Sequence, residues 1–114
     1  ELQIRDLQLR ADNDNPEHLR YRLAITQGKN ISEPITGEVI ITLQNTEGEG
    51  EQAKTIDLNT TEHPLNLRHV QIIEGIFNMA ELPEPEQITV SLRQKDKVLV
   101  SRTFNWQTDM PAGQ

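Results

Sequence analysis

A chain of 114 residues with a formal charge of −7 is sized for one domain that buries roughly two-thirds of the surface its unfolded form exposes. The surplus of carboxylates repels phosphate backbones and anionic lipid surfaces, which argues against nucleic acid as a partner and against membrane contact by the domain itself. No run approaches the roughly 20 apolar residues that span a bilayer, and the absence of cysteine excludes a disulfide framework, thiol chemistry and thiolate zinc sites.

The first apolar residues, Leu2 and Ile4, share one alternating phase, whereas Leu7 and Leu9 occupy the other, with Arg5 and Asp6 between them. A flip of phase within a strand needs either a bulge or a bend that carries the chain from one sheet to the other. Turn residues at 12–16 end this strand. Leu19, Tyr21, Leu23 and Ile25 then alternate with polar or small residues, the signature of a half-buried antiparallel strand. After a break at 27–30, the same period runs through Val39, Ile41 and Leu43, and residues 45–51 form the next loop.

Ile56 with Leu58, and Leu65 with Leu67, read as two short strands separated by a turn at 59–64, which contains Asn59 and Pro64. Residues 74–85 are less regular, and with Gly75, Pro83 and Pro85 they read as a crossover between sheets. Ile88, Val90 and Leu92 form a further strand, a turn falls at 94–97, and Val98, Val100, Phe104 and Trp106 close the series. Arg102 shares the inward phase of that last run, so a bulge or a sheet-edge position is expected there, because an unpaired buried charge is costly. Helical periodicity is confined to residues 70–80. The pattern predicts an all-β fold, an immunoglobulin-like antiparallel β-sandwich of about seven strands. It occupies residues 1–107, followed by a flexible tail at 108–114.

The core must be aliphatic, because the aromatics are only Tyr21, Phe77, Phe104 and Trp106. Asp12-Asn13-Asp14-Asn15-Pro16 resembles the calcium-binding linker of cadherins and makes Asp12 and Asp14 the metal candidates. The acidic segments that complete such a cage have no counterpart here, and an Asx turn is the expectation, with no metal bound. Glu47, Glu49 and Glu51 alternate with glycine in what reads as a solvated hairpin loop. His18, His63 and His69 lack metal-ligand spacing and read as surface residues. Ser32, Ser91 and Ser101 sit in no nucleophile motif, so no catalytic residue and no cofactor is expected, and the protein reads as a nonenzyme. Asn30-Ile31-Ser32 and Asn59-Thr60-Thr61 fit the N-glycosylation pattern, both in predicted loops. Trp106 could stack on a sugar, but its phase with Phe104 places it at the rim of the core. On the surface, Arg20 and Arg22 share one strand face and Ile40 interrupts a polar phase; these three are the candidate interaction residues.

From Leu65 to Gly75, then through Leu82-Pro83-Glu84-Pro85 to Phe104-Asn105-Trp106, the chain resembles the C-terminal domain of uncharacterised gammaproteobacterial inner-membrane proteins. The resemblance implies a terminal β-sandwich at the periplasmic face of the inner membrane, behind a membrane anchor and a coiled coil. It also implies dimerisation through that coiled coil, which would precede Glu1. The expected function is that of a noncatalytic interaction or structural module with a protein partner in the cell envelope. A calcium- or carbohydrate-dependent adhesion domain is the alternative.

Overall fold

The computed structural model describes residues 1–106, and the predicted tail at 108–114 lies outside them. Seven strands follow in order: β1 (Leu2–Ala11), β2 (His18–Gln27), β3 (Ile35–Glu47), β4 (Lys54–Leu67), β5 (Val70–Asn78), β6 (Gln87–Gln94) and β7 (Lys97–Asn105). They form two antiparallel sheets, ordered β1-β2-β5 and β4-β3-β6-β7. Pairing of β2 with β5 and of β3 with β6 makes the crossed connections of an immunoglobulin-like Greek key. The fourth strand lies beside the third, where constant-type immunoglobulin domains place it beside the fifth.

The alternating residues meet between the sheets. Leu23 and Ile25 from β2 face Val39, Ile41 and Leu43 from β3 and Ile88, Val90 and Leu92 from β6, all with no exposed surface. Each such side chain contributes roughly 1.5–3 kcal/mol by leaving water, and together they hold the layers in register. Phe77 and Phe104 extend this core, with Trp106 half-buried against it.

The phase flip of the first strand is a bulge. Arg5 pairs with Ala24 and Gln8 with Arg22, so Asp6 and Leu7 together oppose Leu23. Asp6 adopts φ 61° there, and β1 stays beside β2 throughout. Arg102 is exposed on the edge strand β7, where Nη1 donates to the Ile4 carbonyl at 2.8 Å and the guanidinium lies 4.5 Å over the Phe104 ring. It thereby ties the last strand to the first across the open side of the sandwich.

Two sequence expectations are corrected. Residues 59–64 are the middle of β4, one continuous strand with its bulge at Leu58, between the Leu43–Asn59 and Gln44–Asp57 pairs. Pro64 is tolerated because β4 is an edge strand and Pro64 turns its backbone outward: its carbonyl accepts from Gln71 Nε2 at 3.0 Å. Residues 74–78 belong to β5, so the crossover begins only after Asn78. At the corner joining β4 to β5, the buried Gln27 amide donates to the carbonyls of Lys29 (2.7 Å) and Arg68 (2.6 Å) and accepts from the Lys29 N–H (2.9 Å).

Candidate functional site

Alternation puts even-numbered β2 residues on the outer face of the three-stranded sheet, and the register sets their neighbours. One row runs Gln8, Arg22, Glu74 and the next Arg10, Arg20, Ile76. The two rows line a shallow depression of about 400 Å³. Arg22 is ion-paired with Glu74 at 3.4 Å, both side chains exposed. Arg10 and Arg20 stand directly opposite each other, and among the described residues neither has an acidic partner. Like charges placed opposite on a sheet oppose folding. With Arg5, this face carries four of the seven arginines of an acidic chain, against Asp6 and Glu74 as the acidic strand residues among the described ones.

β5 adds the apolar component. Its outward residues Val70, Ile72 and Ile76 are 61%, 41% and 48% exposed. The same face therefore offers aliphatic contact along one edge and guanidinium groups inland, both features of recognition surfaces.

The sequence candidates separate. Arg20 and Arg22 lie in the depression, whereas Ile40 is half-buried on the outer side of the other sheet, between Glu62 and Ser91. Asp12 and Asp14 occupy the β1–β2 turn. Asp12 Oδ1 accepts from the Asp14 N–H at 3.0 Å and its Oδ2 lies 3.7 Å from His18 Nδ1, while Asn15 Oδ1 accepts from the Glu17 N–H at 2.9 Å. These are the bonds of an Asx turn. Among the described residues, no cluster of three or more histidine or carboxylate side chains is arranged to hold a metal ion. Ser91 and Ser101 hydrogen-bond each other across β6 and β7 at 3.0 Å. Asn59-Thr60-Thr61 lies in β4, not in a loop.

Arg10, Val70, Ile72 and Ile76 do not stand out in the sequence. The phase of Arg10 depends on the bulge at Asp6. In β5 both phases are aliphatic or aromatic in part, so alternation does not say which face is inside. His63, which reads as a surface residue from spacing alone, is half-buried. Its Nε2 lies 2.6 Å from the hydroxyl of Tyr21, a contact between β4 and β2 that spans the two sheets.

Burial pushes the Tyr21 phenol above its ordinary pKa and the His63 imidazole below its own. With Nε2 unprotonated, neutral His63 accepts a hydrogen bond from the Tyr21 hydroxyl, and protonation would remove that acceptor. A depressed histidine binds more protons unfolded than folded, so its stabilising contribution is complete above the ordinary value of 6.5 and fades as pH falls below it. Urea midpoints measured from pH 8 downward should therefore decline through this window, and His63→Gln should flatten the slope. An unchanged slope in the variant would remove His63 as its source.

The fold and this face define a class: a seven-stranded immunoglobulin-like sandwich with one arginine-rich, partly apolar outer sheet face. No family model matches the chain, and comparisons with curated proteins and with solved structures also give no match.

Proposed function

We propose that the chain is a noncatalytic interaction module of a membrane-anchored cell-envelope protein, acting at the periplasmic face of the inner membrane. It holds a protein partner on the outer face of the β1-β2-β5 sheet. The observation that carries this reading is the coincidence, on one face, of exposed Val70, Ile72 and Ile76 with the Arg10–Arg20 couple, which has no acidic partner among the described residues. The groups gathered there are guanidinium, amide and aliphatic side chains with one ion-paired glutamate, a set that binds and orients without supplying an activated nucleophile. Placement in the envelope rests on the likeness of residues 65–75, 82–85 and 104–106 to inner-membrane proteins. The adhesion alternative finds less support, because the Asp12 carboxylate is engaged within its own turn and Trp106 packs against the core.

Site-specific photo-crosslinking in the full-length protein, in its own cells, tests the reading. A crosslinker at Ile72 should give a discrete protein adduct, and one at Ser101 on the far sheet should not. Equal yields at both positions, or none at Ile72, would overturn it.

A further inference from the structure

Edge strands are hazards that proteins normally blunt with bulges, proline or charge, and three of the four edges here are blunted. β1 carries the Asp6 bulge beside Arg5. β4 has its bulge at Leu58, Pro64 at a pairing position, and Gln71 bonded to its free side through the Pro64 carbonyl and the Asn66 N–H. β7 has a bulge at Leu99, between the Leu92–Val100 and Arg93–Val98 pairs, with Lys97 and Arg102.

The fourth edge, β5, has neither bulge nor proline, and its one charge, Glu74, is ion-paired with Arg22. Its register with β2 is unbroken from Val70 to Asn78, it contains no basic residue, and its outward side chains are aliphatic except for Glu74 and the terminal Asn78. Among the described residues, no strand or side chain hydrogen-bonds to its free side between Ile72 and Phe77.

We propose that this open edge receives an extended acidic peptide segment of the partner as an added strand, with its carboxylates turned toward Arg20, which Arg10 backs from the next strand. The inference rests on the interaction reading above and names the chemistry of the partner. An added strand would lie two strand spacings from β2, about 10 Å, a gap that one arginine and one glutamate bridge between them above Ile76. Main-chain bonds to β5 supply affinity, as in other strand additions. The arginine couple supplies the choice of sign and is relieved of its mutual repulsion on binding. A second copy of this chain suits the edge less well, because its β5 would bring one carboxylate, Glu74, already ion-paired with its own Arg22, together with a full charge of −7.

The test is an NMR titration of the chain with a short peptide alternating valine and glutamate. Its controls are the same peptide with lysine for glutamate, the same peptide N-methylated on alternate nitrogens, and free glutamate. The glutamate peptide should shift the amides of Ile72 through Asn78 and bind less tightly as salt rises, and the lysine and N-methylated forms should fail. Arg20→Glu should weaken binding about tenfold or more, the scale of one charge-assisted hydrogen bond. Arg10→Glu, one strand further from the added segment, should weaken binding less, by drawing Arg20 into an ion pair, and should raise the melting temperature because it converts a like-charge pair into an attractive one; a merely structural arginine would lower it. Binding that survives both reversals, free glutamate binding as tightly as the peptide, or peptide-free dimerisation through β5 would each overturn the proposal. A crosslinked partner at Ile72 combined with no peptide binding would leave the interaction reading standing and remove strand addition alone.

Discussion

Gly37→Ala is expected to destabilise the domain by about 3–5 kcal/mol, the sum of a conformation that side-chain-bearing residues rarely adopt and an overpacked contact. Gly37 sits in the central strand β3 at φ 150°, and a Cβ at this position would lie 2.2 Å from the backbone carbonyl oxygen of Arg93. That oxygen cannot swing aside as a side chain would. Arg93 is held by its pairing with Glu38, and Gln94 Nε2 donates to the Thr36 carbonyl at 2.9 Å on the same stretch. Against a total stability on the order of 5–15 kcal/mol, this loss removes a large part of the margin. Gly28→Ala is the matched control: nothing lies within 4 Å of the place its methyl group would take and its φ is ordinary, so stability should hold or rise slightly. Denaturant midpoints for the two variants check both expectations, and a loss under about 1 kcal/mol at Gly37 would contradict the packing described.

Gly75→Ala is expected to cost about 2–4 kcal/mol, combining overpacking with the loss of one hydrogen bond. Tyr21 pairs across strands with Gly75 and lays its ring over the space where a side chain would stand; a Cβ at Gly75 would meet the hydroxyl at 2.3 Å and Cζ at 2.5 Å. The ring has no free direction to yield. It is 3% exposed, stacked on Phe77 at a centroid distance of 4.3 Å, and bonded to His63. The cost should largely vanish when Tyr21→Leu is made first, so a double-mutant cycle should give strong coupling between positions 21 and 75. Additive effects would mean that the two residues do not share this space.

Much of the fold is legible in the sequence because burial in a sandwich is periodic. Leu23, Ile25, Val39, Ile41, Leu43, Ile88, Val90 and Leu92 all lie inside on the phase that alternation assigns them. The failures have physical causes. Asn59 to Pro64 carry turn-forming residues, yet on an edge strand proline loses no ladder bond, and the inward polar position of His63 is satisfied by Tyr21. Gly75 reads as a breaker because its reason, the Tyr21 ring, comes from a strand far earlier in the chain. The candidate surface is half legible. Arg20 and Arg22 stand out on one strand, but their meaning depends on Arg10 and Ile76, which only the register of three strands brings into the same row.

Amide hydrogen exchange along β5 tests most directly the claim that its edge is open for recognition. In an antiparallel edge strand, alternate N–H groups point away from the neighbouring strand. In the unbound chain, alternate amides between Ile72 and Phe77 should therefore exchange nearly as fast as loop amides, while their neighbours and the central strand β3 stay protected. Uniform protection along β5 would mean that its edge is already covered, and the account of this face as a binding surface would fail.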